Sequence, residues 1–382
     1  MLKFELIRKE YPVLDKYVYL DTATHGLFSR SSYEAIQKHL TLSYETALDI
    51  PGYIACWEFA DELRKDLAQV INAEKNEIFY GTSSSDLLAV FTSGLTLPAG
   101  SEVLITDQSF PSTARSWKNR EAEGIRVKIL TSENGCVSYE RLEKSISKDT
   151  RVISLSMVEQ NTGYRHDLYR IGKLCKEKGI VLVIDATQTV GALEIDVKKM
   201  NIDFLCTSAY KYLNGLLGIG FGYIKKDFIG KLAQTHTGWA GNREWVINSD
   251  LEIKFLDSAA RYENGGLNFI AIKGLAESIK TYLALGKKDV EAQILFLTQY
   301  LIDKVGQLQG YTLLRKFNSE NRSGITVIEL PEGMELTNEE LANAGVRARL
   351  IKSNLLRISC HFYNHTQDID QMFEILGKLV KR

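Results

Sequence analysis

Short, nearly continuous apolar runs rich in β-branched residues punctuate the first two-thirds of this chain. EVLITD (Glu102–Asp107), VKIL (Val127–Leu130), RVISLSMV (Arg151–Val158), IVLVIDA (Ile180–Ala186), DFLCTSA (Asp203–Ala209) and GIGFGYI (Gly218–Ile224) read as strands. Apolar runs without polar alternation belong to strands covered on both faces. Between them lie stretches of helical period such as Tyr139–Ser147 and Leu168–Lys178. This alternation predicts an α/β fold, a mostly parallel sheet between helices. Near Arg261 the pattern changes. Leu267–Leu285 and Glu291–Leu308 are long and amphipathic, and strand-like YTLL, GITVIEL and NLLRISC lead to a last amphipathic helix over Asp368–Val380. The expected organisation is a large domain over 20–256 and a small α+β domain made of 257–382 with residues 1–19 packed onto it.

Composition narrows the class. The 382 residues are 45% hydrophobic and 25% charged, enough apolar surface for a sizeable core. A net charge of −1 gives no electrostatic reason to expect nucleic acid or an anionic membrane as partner. The first residues lack a leader's apolar segment and no apolar run reaches membrane-spanning length, so a cytoplasmic location is expected. Cys56, Cys136, Cys175, Cys206 and Cys360 are odd in number, scattered and free of any CxxC pair, which suits reduced thiols. His25 has no other histidine at metal-ligand spacing, and no metal is expected.

Candidate chemistry concentrates between Val181 and Tyr223. One apolar strand delivers Asp185 and Gln188, and the next delivers Ser208 and Lys211 ahead of a Gly-rich turn. A lysine at a strand end is ordinarily solvated, and an aspartate there is ordinarily a helix N-cap. Together they suit another task. A carboxylate closing a buried strand needs a cationic partner such as a protonated pyridine nitrogen, and a lysine in a desolvated pocket can bond an aldehyde. TSSSDLL (Thr82–Leu88) follows strand-like EIFY. Serines at a strand–helix junction offer hydroxyls and N–H groups to a phosphate, or simply cap the helix. No GxxxxGK[ST] is present, which argues against an ATP P-loop.

Taken in order, the segments from Tyr19 to Asp370 resemble the class V aminotransferase family, whose members include cysteine desulfurases, kynureninase and isopenicillin N epimerase-like proteins. The resemblance implies the fold-type I transferase architecture, pyridoxal 5′-phosphate as cofactor, an amino acid as substrate and a homodimer. It assigns Lys211 as the Schiff-base lysine and Asp185 as partner of the ring nitrogen. Gln188 would donate to the phenolate oxygen, and Tyr210 would lie against the cofactor. Ser84, Ser85 and Ser208 would hold the phosphate, although the family's usual glycine is a serine here. Phe110 in DQSFPSTARSW stands where the family stacks an aromatic ring. MVEQNTGYRHDL places Gln160 on the family's asparagine, with Asn161 one residue off; either amide is a candidate, and a turn at Asn-Thr-Gly is the plainer alternative. Arg357 in NLLRISCHFYNHTQDID resembles the R-x-S-x-H-x-YN motif that grips the substrate α-carboxylate. YLDTATHGLFS would bring Thr24 and His25 to the substrate entrance. THTGWAGNREW and RYENGGLNF, around Trp239 and Asn268, would lie near the dimer interface, with Gly266 in place of a phosphate-binding threonine.

The expected activity is transamination of an amino acid. A desulfurase needs a mobile cysteine shortly before the arginine motif; Asn338–Asn354 contains none, and Cys360 sits on the strand beside Arg357. RYENGGLNF does not match kynureninase's substrate-pocket segment. A C–S or C–C lyase or hydrolase is the alternative, followed by an epimerase. A role as the sensing part of a transcription regulator is not expected, because the active-site loop begins within the first twenty-odd residues.

Overall fold

The structure is a computed structural model that describes residues 2–243 and 253–379. Before the main sheet come α1 (Leu2–Arg8), β1 (Val18–Tyr19), α2 (Arg30–Thr46) and α3 (Ile50–Ile71). The sheet is built by β2 (Ile78–Gly81), α4 (Ser84–Gly94), β3 (Glu102–Thr106), α5 (Pro111–Lys118), β4 (Arg126–Leu130), α6 (Tyr139–Ser145), β5 (Thr150–Ser156), α7 (Leu168–Lys178), β6 (Val181–Asp185), β7 (Phe204–Ser208) and β8 (Gly220–Ile224). Its order is β2-β8-β7-β6-β5-β3-β4. Only β8 runs against its neighbours; every other pairing is parallel. Successive residues of a strand serve opposite cores: Val152 packs on one face with Phe91, Trp117 and Phe204, and Ile153 on the other with Leu182 and Leu205. Except at the edge strand β4, where Arg126, Lys128 and Ile129 are exposed, both faces are dry, which is why the strands read as unbroken apolar runs.

The rest of the chain forms α8 (Phe269–Leu285), α9 (Lys287–Gln307), β9 (Thr312–Leu313), β10 (Ile325–Glu329), α10 (Asn338–Asn343), β11 (Val346–Arg347), β12 (Arg349–Lys352), β13 (Leu355–Ser359) and α11 (Thr366–Leu379). An antiparallel sheet of order β12-β13-β10-β9 packs with α9 and α11 around a separate core of Leu297, Leu301, Ile328, Leu356, Ile369 and Met372. The N-terminal segment joins this part. β1 pairs in parallel with β11, and Arg8 forks onto both carboxylate oxygens of Asp368 at 2.8 Å.

Several boundaries differ from the sequence reading. The helix expected from Leu267 starts at Phe269, because the Asn268 side chain accepts the Ala271 N–H and caps it. The helix expected from Glu291 starts at Lys287, four residues after Leu283, with only Gly286 as the hinge between the two helices. α2 and α3 are long helices that the strand–helix alternation did not announce. α3 carries Pro51 in its first turn, where the missing N–H costs nothing. Glu244 and Trp245 of THTGWAGNREW, and Val380 of the last expected helix, lie outside the described residues.

One buried ion pair ties the RYENGGLNF segment to the sheet. Arg64 Nη2 donates to both oxygens of Glu263 at 2.8 Å, and the Tyr80 N–H donates to the same carboxylate. Removing one charge strands the other away from water. Glu263→Gln is expected to lower unfolding stability by about 3 kcal/mol, read as a lower denaturant midpoint; a midpoint equal to wild type would show that the pair holds nothing together.

Candidate active site

Parallel strands β6 and β7 lie side by side, with Asp185 opposite Cys206, so both chains leave at the same edge of the sheet. Ligands of open α/β sheets bind at that carboxyl edge. β6 ends on Asp185, β7 ends on Ser208, and the following turn carries Tyr210 and Lys211. These residues line a pocket of about 130 Å³ with Ser84, Ser85, Phe110, Gln160 and Gln188.

The serine run divides by role. Ser83 caps α4, its hydroxyl accepting the Asp86 N–H. Ser84 donates its N–H to Ser208 Oγ at 2.8 Å, and that hydroxyl turns back on Ser84 Oγ at 3.2 Å. Ser85 Oγ meets Ser112 Oγ at 2.5 Å. The Ser84, Ser85 and Ser208 hydroxyls, at the positive end of α4, form a donor set suited to a phosphate.

Asp185 does not cap a helix, as its position had allowed. Its Oδ1 accepts the Thr187 N–H at 2.9 Å, and the chain continues in turns. Burial pushes the Asp185 carboxyl up, against the Thr187 hydrogen bonds and the charge of Lys211. Burial lowers the Lys211 amine to about 8; Asp185 opposes the shift and the charge of Arg357 adds to it. The amine lies 5.7 Å from the Phe110 ring centroid and 5.8 Å from that of Tyr210. The pocket therefore offers an amine that sheds its proton near neutrality, a buried carboxylate able to pair a cationic ring nitrogen, an aromatic wall and a hydroxyl cradle. A phosphorylated aromatic aldehyde fits that set.

Gln188 differs from expectation. Its Nε2 donates to the Ala23 carbonyl at 3.0 Å, because the 21–26 segment packs over it, and the buried Oε1 has no partner. The amide N–H expected to serve the pocket is thus engaged by Ala23. Between the two candidate amides, Gln160 lines the pocket and Asn161 is exposed and outside it. Thr187, which the sequence reading passed over, also lines the pocket and accepts the Ser208 N–H.

Arg357, Thr24 and His25 form an adjoining group rather than pocket wall. Arg357 is buried on β13 and donates to Asp21 Oδ1 at 3.1 Å, to Thr24 Oγ1 and to the Gln160 carbonyl at 3.2 Å. The His25 ring lies 5.7 Å from that of Tyr210. Asp21 is a second missed residue; its signal was a carboxylate three positions before Thr24 in an otherwise neutral loop. Farther off, Trp239 packs on Trp57, and nothing lies within 4 Å of a Cβ placed on Gly266.

The segment where a mobile cysteine was sought folds into α10, β11 and β12. Cys360 is fully enclosed and its thiol is pushed up to about 12 by burial. None of the five cysteines lines the Lys211 pocket. Among the described residues no group of acidic, histidine and cysteine side chains could hold a metal ion, and no helix is long and apolar enough to cross a membrane.

Comparison with known proteins agrees with this geometry. The family model described as "Aminotransferase class-V" matches residues 18–372. An uncharacterized aminotransferase of Bacillus subtilis (strain 168) is 25% identical, covering 99% of each chain. A probable cysteine desulfurase of Pyrococcus abyssi is 26% identical, covering 99% of this chain and 98% of its own. Among solved structures, the apo cysteine desulfurase of Thermococcus onnurineus superposes with a TM-score of 0.88 at 23% identity, covering 99% of this chain and 98% of that one. A cystine C–S lyase in complex with cysteine persulfide gives 0.88 at 20% identity over 97% and 98%. At these identities the structures establish the fold.

Amine-directed acylation of the cofactor-free protein is expected to label Lys211 with a midpoint near pH 8. Asp185→Asn removes the charge that raises this pKa, so its midpoint is expected to fall. A midpoint unchanged or higher in the variant would show that the two groups do not interact.

Proposed function

The chain belongs to the class V aminotransferase family, which is pyridoxal-phosphate-dependent, and on that premise we propose that it holds the cofactor in the Lys211 pocket and transaminates an amino acid. The observation that carries this reading is the buried, low-pKa Lys211 close to Asp185, with the buried Arg357 alongside on the Gln160 carbonyl. When bound, pyridoxal phosphate supplies an aldehyde to an amine and a ring that draws electrons from the substrate Cα.

The residues divide the remaining work. Ser84, Ser85 and Ser208, with the N–H groups opening α4, bind the phosphate. Phe110 would supply the aromatic wall against the cofactor ring, and having no ionisable atom it carries no proton. Asp185 keeps a proton on the ring nitrogen by opposing its charge across a dry contact. Arg357 binds the substrate α-carboxylate and so orients the Cα–H bond. Lys211 Nζ takes the proton from Cα and delivers it again; an amine near pKa 8 can do both close to neutral pH. A homodimer is part of the same reading, with the Trp239 and Asn268 segments near the interface.

Cleavage of a C–S bond is the second reading, supported by relatives named as probable cysteine desulfurases. A desulfurase's persulfide chemistry would need a cysteine within reach of the substrate. The nearest to Arg357 in sequence is enclosed and of raised pKa. If this chain is a lyase, release of sulfur without a protein nucleophile is the version its residues support.

Purified holoprotein is mixed with pools of L-amino acids and no 2-oxo acid. An aminotransferase is expected to yield about one equivalent of 2-oxo acid per subunit, then stall until an acceptor is added. Continuous release of pyruvate or sulfide would establish the lyase instead. Lys211→Ala is expected to abolish both outcomes; retained turnover in that variant would remove Lys211 from the chemistry.

A further inference from the structure

Beside the buried Arg357 stands a second arginine with nothing to hold. Arg349 on β12 is the direct cross-strand partner of Arg357 on β13. Directly opposed residues of an antiparallel pair project from the same face, with Cβ atoms about 5 Å apart. β12 is the outer strand of its sheet, so Arg357 lies inward and Arg349 outward on one surface. Arg357 has three acceptors, whereas Arg349 is exposed and makes no hydrogen bond or ion pair among the described residues. Its charge still reaches inward: burial pushes the Asp21 carboxyl up and the Lys211 amine down, and Arg349 weakly opposes the first and adds to the second.

Opposed like charges are unfavourable in a sheet. One carboxylate, Asp21, faces the two guanidinium groups, and it is committed to Arg357. The cleft beside Lys211 therefore keeps an excess of one positive charge on a flexible stem, set one strand outward from the arginine that would take the α-carboxylate. A short ligand with a second anionic group meets both arginines; a monoanionic ligand leaves the outer one idle.

We propose that Arg349 is a specificity-determining residue that selects a dicarboxylic substrate, either an acidic amino acid or the 2-oxo dicarboxylic acid that accepts the amino group. The inference rests on the reading of Arg357 as the α-carboxylate anchor and deepens it by naming the substrate class. Both sources share one chemistry, two carboxylates on a short carbon chain.

The test is calorimetric titration of holoenzyme with succinate and with butyrate, which needs no turnover. Wild type is expected to bind succinate about ten-fold more tightly, as a charge-assisted hydrogen bond would give. Arg349→Gln is expected to bring succinate down to the butyrate level and to leave butyrate unchanged. The site is exposed, so the fold is not at risk. Arg357→Gln is expected to weaken both ligands. Equal affinity for succinate and butyrate in wild type, with Arg357→Gln still weakening both, overturns the role of Arg349 and leaves the anchor standing. An equal loss for both ligands in Arg349→Gln also overturns it, because Arg349 would then act only as general charge. Arg357→Gln without effect on either ligand would overturn the anchor and this inference with it. Once a dicarboxylate preference is established, titration with L-aspartate and L-glutamate against 2-oxoglutarate separates donor from acceptor.

Discussion

The site is assembled by one short stretch of backbone, Leu20–Gly26, wedged between two parts of the molecule. On one side the Gly26 N–H donates to the Tyr210 carbonyl at 2.7 Å, and a Cβ on Gly26 would fall 1.9 Å from the Lys211 carbonyl oxygen. No side chain fits there, so the turn that presents Lys211 and the loop that covers it are in backbone contact. On the other side the Ser359 N–H donates to the Leu20 carbonyl, the Ala23 N–H donates to Ser359 Oγ, and Arg357 reaches Asp21 and Thr24. Gln188 closes the join by donating to the Ala23 carbonyl. A lysine on the large sheet and an arginine on the small one keep a constant spacing because the same seven residues touch both.

Burial around that wedge sets the electrostatics. Desolvation works against the charged forms of both Lys211 and Asp185, lowering one pKa and raising the other, while their mutual attraction limits each shift. An amine brought to about 8 exchanges protons near neutrality, as an ordinary surface lysine does not. The same desolvation silences the thiols: Cys360 and Cys175 are pushed up to about 12. Burial thus favours the neutral form in which an amine is nucleophilic and disfavours the anionic form in which a thiol is.

The sheet explains why these residues share one place. Asp185 and Ser208 close two adjacent strands that run parallel to each other, and parallel strands release their carboxyl ends on one edge. β8 returns antiparallel beyond β7, and the connection 209–219 that holds Lys211 is closed at its base by the Ala209 N–H donating to the Ile219 carbonyl. α4 and α5 begin beside the same edge and bring Ser84, Ser85 and Phe110 with them.

The strands, their direction and the residues at their ends were legible in the chain, because dry two-faced strands must be apolar throughout and polar residues can appear only where such a strand stops. Asp185 and the serine run were visible for that reason and Lys211 just beyond such an end, whereas Arg357, in the middle of β13, was visible only through its segment's resemblance to a family motif. α2 and α3 were not, since no strand alternation frames them. The choice of Gln160 over Asn161 depended on which way a turn faces, and the commitment of the Gln188 amide to Ala23 depended on a loop distant in sequence. Asp21 signals itself only as a lone carboxylate in a neutral loop, and Arg349 not at all; a loop and a cross-strand register set them beside Arg357. The sequence by itself determined the layers and the chemical inventory, through burial periodicity and local turn chemistry. Tertiary structure alone decided which groups face one another, because contacts between residues more than three hundred positions apart leave no periodic trace along the chain.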